Sequence, residues 1–97
     1  MPENWSVDIE TRGRDGAVYY SEGLNRVRFY WEFGGTPRIL AIISGPRPDE
    51  WDDSSPWARG RRAEIMRRIA EDVIRQKAPG CAPEYIDDRT VIHIIVP

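Results

Sequence analysis

The side chains that could carry out chemistry are few in this sequence and lie far apart. Cys81 is the only cysteine and His93 the only histidine. His93 stands between Ile92 and Ile94, and no sequence neighbour is an evident orienting partner for acid–base work. Cys81 follows a predicted helix C-terminus, which does not stabilise a thiolate. We therefore predict no catalytic residue and favour a non-enzymatic protein, with a small enzyme as the alternative.

The acidic run at 49–53 (Asp-Glu-Trp-Asp-Asp) invites a metal-binding interpretation. It lacks the regularly spaced oxygen ligands, the central glycine and the distal glutamate of a calcium loop. Acidic residues just before a helix are also favoured by the helix dipole. The sequence has no glycine-rich phosphate loop and no His-x-x-x-His or Cys-x-x-Cys spacing. We therefore predict no metal site and no cofactor.

The segment around the predicted helix start is the first candidate binding surface. A helix N-terminus with arginines nearby can hold a phosphate or a carboxylate. Tryptophan and arginine are enriched at binding hot spots, and the proline-rich loop favours an exposed Trp51. The alternatives are local neutralisation of the acidic run and packing of Trp57 onto the sheet. The predicted binding residues, between the 45–56 loop, the helix start and the sheet, are Trp51, Trp57, Arg59, Arg61 and Arg62.

Composition limits the class of protein. A chain of 97 residues with 14 basic and 16 acidic side chains predicts one domain, 1–97, and argues against a nucleic-acid partner. No signal peptide and no apolar run of membrane-spanning length is evident, so we expect a cytoplasmic protein that does not bind membranes. Lys77 is the only lysine beside 13 arginines, which is typical of a GC-rich bacterial genome.

Alternating apolar and polar residues predict the strands. They are expected at 5–12, 17–21, 26–33, 38–44 and 90–96, with turns at Asp15-Gly16, 22–25 and 34–37. In the third, Val27, Phe29, Trp31 and Phe33 share one face. The last two are apolar on both faces, which suits central strands, and we expect them to pair with each other.

One helix completes the predicted fold. Ser55 is the expected N-cap, Pro56 the first helical residue, and the helix runs to about Lys77 before Pro79 and Gly80 stop it. Residues 45–56 and 81–89 are predicted loops. The fold class is α+β: an antiparallel meander of four strands, one long amphipathic helix on one face, and a C-terminal fifth strand, in the order β-β-β-β-α-β.

A single helix covers only one face of such a sheet, so the other face is the second candidate surface. Contiguous exposed apolar area usually marks a contact. We expect a homodimer or another protein partner there, and association that depends on pH because histidine titrates near neutrality. The alternative is that loops or the N-terminal segment cover this face. The predicted interface residues are Leu40, Ile42, Val91, His93 and Ile95.

Overall fold

The computed structural model describes residues 4–86 and 91–97, and within them the chain forms an antiparallel sheet of six strands. Thr90 and the end of the predicted loop at 81–89 lie outside the described residues. The strand order is β1-β2-β3-β4-β6-β5. The strands are Trp5–Arg12 (β1), Asp15–Glu22 (β2), Asn25–Phe33 (β3), Ile39–Ser44 (β4), Ala82–Ile86 (β5) and Val91–Ile95 (β6).

The four-strand meander and the α+β class are confirmed, but the first turn is displaced. Arg12 pairs with Asp15, so the turn consists of Gly13 and Arg14, and Gly13 has a φ of 72°. Asp15 and Gly16 were expected to form this turn and instead begin β2. Both candidate positions offer a glycine, and periodicity alone does not fix the register between them.

The C-terminal half of the sheet departs further from expectation. β6 pairs with β4, as predicted, and β4 lies between β3 and β6. The predicted loop at 81–89 is wrong in its first part, because Ala82–Ile86 forms β5 and pairs with β6. Pro83 lies in this strand, which is the last in the sheet. An edge strand tolerates proline because one side of it needs no partner for its N–H groups.

The helical region is divided into three pieces. They are α1 (Pro48–Ser54), a 3₁₀ turn (Pro56–Ala58) and α2 (Arg62–Lys77). The prediction of a loop at 45–56 was therefore right for residues 45–47 and wrong for Pro48–Ser54, since Pro48 occupies the first turn of α1, where a missing N–H costs little. Ser55 and Pro56 begin only the 3₁₀ turn, so the long helix was expected to start too early. Gly60 has a φ of 74°, which breaks the helical path before Arg61.

Both helices pack on the same face of the sheet. α2 contributes its apolar stripe to the core, and Trp51 of α1 places its ring 6.4 Å from that of Phe29 in β3. The strands supply alternate residues to the same core, so their other residues point to the opposite face. The buried strand and helix residues include Val7, Val18, Tyr20, Val27, Phe29, Ile43, Ile65, Met66, Ile69, Ala70, Ile92 and Ile94.

Candidate functional site

Trp51 is a core residue and not an exposed anchor. Its side chain is 2% exposed, and its Nε1–H donates to the carbonyl of Ala58 at 2.8 Å. This bond ties α1 to the 3₁₀ turn that follows it. The expectation of exposure failed because a proline-rich segment that folds as a short helix has an inward side, and Trp51 is the buried residue on it.

Trp57 packs onto the sheet, as the alternative interpretation proposed. Its ring stacks on Tyr20 with centroids 6.5 Å apart and planes within 6°. Trp5 also stacks on Tyr20, at 5.8 Å. Two tryptophans, one in β1 and one in the 3₁₀ turn, thus pack against one tyrosine of β2. This geometry gives Trp57 a packing role, and its role in binding stays a prediction.

The three candidate arginines do not converge on one site. Arg59 lies 3.9 Å from Asp52, while the Arg62 Nε–H donates to the Pro46 carbonyl at 3.3 Å. Asp52 also accepts the backbone N–H of Gly60 at 3.0 Å. Asp52 of the acidic run therefore pairs with the nearby Arg59 and fixes the backbone at Gly60. This agrees with local neutralisation, which was the alternative to a metal or anion site.

Arg61 belongs to a polar cluster that the sequence did not reveal. We call this the Glu22 cluster: Tyr20, Glu22, Arg61, Glu64 and Arg68. Arg61 donates to both carboxylate oxygens of Glu22, at 3.0 and 2.6 Å, and to Glu64 at 2.8 Å. Arg68 donates to the Tyr20 hydroxyl at 2.7 Å, and that hydroxyl donates to Glu22 at 2.6 Å. Residues 39 positions apart are joined in this way, so spacing along the chain gave no signal.

The electrostatics of the Glu22 cluster are those of a satisfied structural network. The Arg61 guanidinium holds the pKa values of Glu22 and Glu64 below their usual range. Burial and the hydrogen bond to Glu22 raise the pKa of Tyr20 to about 12. Two arginines face two glutamates, so the cluster joins β2 to the start of α2 and offers no net positive charge to an anion.

The second candidate surface is the sheet face opposite the helices, which we call the open face. Ile42 pairs with His93, and Val91 pairs with Ser44, so β4 and β6 bring these side chains together. Ile95 lies further along β6, opposite Ile39. Four of the five predicted interface residues, Ile42, Val91, His93 and Ile95, are half-buried within one apolar patch.

Leu40 is the exception among the predicted interface residues. The pairing of β4 with β6 shifts register between Ile39 and Ala41, which is a bulge at Leu40. Leu40 therefore lines an apolar pocket on the helix side of the sheet, together with Ile43 and Ile94. Its assignment to the open face was wrong, because a bulge cannot be read from alternation.

His93 has a neighbour that the sequence did not suggest. Its Nδ1 lies 3.5 Å from a carboxylate oxygen of Glu84 on β5. Glu84 was missed because it fell in a predicted loop. Cys81, by contrast, packs against the core on the covered face, so the structure does not bring the cysteine and the histidine together.

Arginines and tyrosines occupy the β2–β3 half of the open face. The Arg26 guanidinium lies 4.0 Å from the Tyr19 ring centre, and that of Arg28 lies 4.6 Å from the Tyr30 ring centre. Such contacts hold the planar cations flat on the sheet. The open face is thus polar on one side and apolar at β4 and β6.

An apolar pocket lies on the covered face near the end of α2. Its volume is about 280 Å³. Aromatic and aliphatic side chains from β1, β2, β3, β4, β6 and α2 form most of its lining. The lining residues are Ile9, Thr11, Val18, Trp31, Phe33, Leu40, Ala41, Ile43, Val73, Lys77, Ala78 and Ile94.

Within residues 4–86 and 91–97, no three His, Cys, Asp or Glu side chains are grouped so that they could hold a metal ion. No helix in this part of the chain combines the length and the apolar character that crossing a membrane requires.

Comparisons with known proteins add no functional information. No protein-family model, no curated protein and no solved structure matches this chain. The candidate surfaces therefore rest on the geometry of the chain itself.

Proposed function

We propose that this protein is a non-enzymatic interaction module that self-associates through the open face. The observation that carries the proposal is the placement of both helices on one face while β4 and β6 keep apolar residues on the other. Ile42, Val91 and Ile95 lie beside His93 there, and Glu84 lies on its β5 side. Within the described part of the chain, no element packs over them.

A second copy of the chain suits this patch better than a highly charged partner. Ile42, Val91 and Ile95 are uncharged, and the carboxylates that flank them, Glu32 on β3 and Glu84 on β5, lie on either side of the patch. A two-fold axis through the centre of the patch therefore need not bring like charges together. An antiparallel sheet face is also suited to an isologous contact, in which a two-fold axis pairs the same surface of both subunits. Face-to-face packing of two sheets at about 10 Å is a common core arrangement.

The size of the face sets the expected affinity. Six strands at a spacing of about 4.8 Å give a face about 24 Å wide and roughly 20 Å long. Contact between two such faces buries on the order of 1,000 Å², which is the size class of weak, transient complexes. We therefore expect a dimer with a Kd on the order of 10–100 µM.

Sedimentation equilibrium from about 5 to about 500 µM tests the proposal, because this range brackets the expected Kd. The wild type should pass from monomer to dimer. Ile42→Arg places a charge at the centre of the patch and should remain monomeric. Leu24→Arg is the matched control, since Leu24 is fully exposed in the β2–β3 turn, and it should dimerise like the wild type. A wild-type monomer at all concentrations, or an unaffected Ile42→Arg variant, would contradict the proposal.

A further inference from the structure

The apolar pocket on the covered face is the right size for a small organic molecule. Its volume is about 280 Å³. An apolar protein cavity of about 150 Å³ is sufficient to bind benzene, so this pocket can take a body of about ten non-hydrogen atoms. Ligand sites are usually concave, mostly apolar and equipped with a few polar groups that fix orientation. This pocket has all of these properties, with Thr11 and Lys77 as its polar lining.

One wall of the pocket is held in place before any ligand arrives. The Trp31 Nε1–H crosses β2 and donates to the Glu10 carbonyl on β1 at 2.9 Å. This path is open only because Gly16 has no side chain: a Cβ there would collide with the Glu10 carbonyl and lie 2.7 Å from Trp31 Nε1. The Trp31 ring in turn contacts the Phe33 ring edge-on, with centroids 5.5 Å apart. A fixed wall lowers the entropy cost of binding.

The charge around the pocket has one sign. Lys77 is the only charged residue in its described lining. The adjacent hollow shares Phe33 and Leu40 with the pocket, and Arg14 is the only charged residue among its described lining residues. Neither cation makes an ion pair within residues 4–86 and 91–97, whereas the arginines of the Glu22 cluster are fully matched by glutamates. In a chain with more acidic than basic residues, this local excess favours an anionic ligand.

We propose that the pocket binds an amphipathic organic anion: an apolar body of medium length or one fused ring system, ending in a carboxylate. The body lies against Trp31, Phe33 and Leu40, and the carboxylate lies at the mouth beside Lys77. The Thr11 hydroxyl at the edge of β1 offers a second polar contact to the same group. Binding at this site is independent of the open face, because the pocket and the β4–β6 patch lie on opposite sides of the sheet.

Three probes of equal chain length separate the contributions of apolar body and charge. Octanoate, octan-1-ol and octylammonium are titrated in turn into the ¹⁵N-labelled full chain at low ionic strength, and amide shifts are followed by NMR. All shifts should be centred on the pocket residues. Octanoate should bind about three- to fivefold more tightly than octan-1-ol, as expected for one partly exposed ion pair, and octylammonium should bind most weakly.

Matched variants test the assignment of the charge. Lys77→Gln should bring octanoate affinity down to that of octan-1-ol and leave octan-1-ol binding unchanged. Arg75→Gln removes a cation from the same helix that pairs with Asp72 and does not line the pocket, so it should change nothing. Thr11→Phe fills the pocket from an exposed edge position and should weaken binding of all three probes at least tenfold.

Each other outcome overturns the proposal. Shifts that are absent at millimolar octanoate, or centred away from the pocket, exclude the site. Equal affinity for the three probes excludes the anionic preference. An equal loss of octanoate binding in Arg75→Gln and Lys77→Gln shows a general charge effect. Far-UV circular dichroism and amide spectra of each free variant establish that the fold is intact before the titration.

Discussion

The two faces of the sheet carry similar residue types, namely aromatic, apolar and arginine side chains, but differ in what packs against them. On the covered face, every tryptophan found there has a stacking, hydrogen-bonding or aromatic partner, and the charges of the Glu22 cluster balance. On the open face, apolar side chains of β4 and β6 lie beside a ladder of arginines on tyrosines, and the described chain places nothing over them. The difference shows that residue type alone does not mark a functional surface. The proposed contact surface is distinguished instead by apolar side chains that no helix of the described chain covers.

The largest expected difference between the faces concerns stability. Trp51→Ala removes a ring that is 2% exposed and hydrogen-bonded to Ala58, so it should lower the free energy of unfolding by about 3–5 kcal/mol. Ile42→Ala on the open face should lower it by about 1 kcal/mol or less under conditions where the chain is monomeric. Urea denaturation of both variants at low concentration measures the two values. Equal losses would remove the distinction between the faces.

The next effect concerns the charges on the covered face. Glu22→Gln weakens its bonds to Arg61 and Tyr20 and should cost about 1–2 kcal/mol, since the groups are only partly buried. Arg12→Gln breaks an exposed pair with Glu10 and should cost about 0.5 kcal/mol or less. The same urea experiment compares them, and a cost for Arg12→Gln as large as that for Glu22→Gln would contradict the assigned role of the cluster.

The lowered pKa of Glu22 also gives a direction for acid sensitivity. A carboxyl whose folded pKa lies below its unfolded value stabilises the protein above the unfolded value, 4.5, and this contribution is lost as the pH falls through the lowered pKa. The wild type should therefore lose more stability than Glu22→Gln when the pH falls from 7 to about 3. Thermal unfolding at both pH values checks the slope, and parallel slopes in the two proteins would contradict it.

Tyr20 predicts a smaller effect at the alkaline end. Its pKa is raised to about 12 against an ordinary value of 10.0, so its contribution is present below pH 10 and is lost as the pH rises toward 12. Absorbance titration of phenolate should show one tyrosine ionising about two units above an ordinary one. Tyr20→Phe keeps the stacking with Trp57 and should remove that late step alone. A late step that persists in this variant would assign it to another tyrosine.

The sequence predicted those features that depend on periodicity and neighbours in the chain. Alternation in β3 correctly predicted that Val27 and Phe29 share a face, which is the buried one, and two-sided apolar runs correctly predicted that β4 and β6 pair. Single residues that override a pattern were missed. Gly60 interrupts the expected helix, and Pro83 is accepted at an edge where a loop was expected.

The sites were harder to predict than the fold, because their partners are distant in sequence. Trp51 was expected to be exposed. Its hydrogen bond to the Ala58 carbonyl, seven residues away, forms only because α1 folds back toward the 3₁₀ turn. Arg61 was expected at an anion site and pairs instead with Glu22, which lies in another part of the chain. The pocket depends on the bulge at Leu40 and on Gly16, neither of which has a periodic signature.

The open face is tested most directly by dilution of the ¹⁵N-labelled wild type from about 500 to about 20 µM, a range that spans the expected Kd, with amide spectra recorded at each step. We predict that shifts move with concentration at Ile42, Val91, His93 and Ile95, while Phe29, Ile65 and Ile69 in the core beneath the helices stay fixed. Spectra that do not change on dilution, or that change only on the covered face, would contradict self-association through the open face.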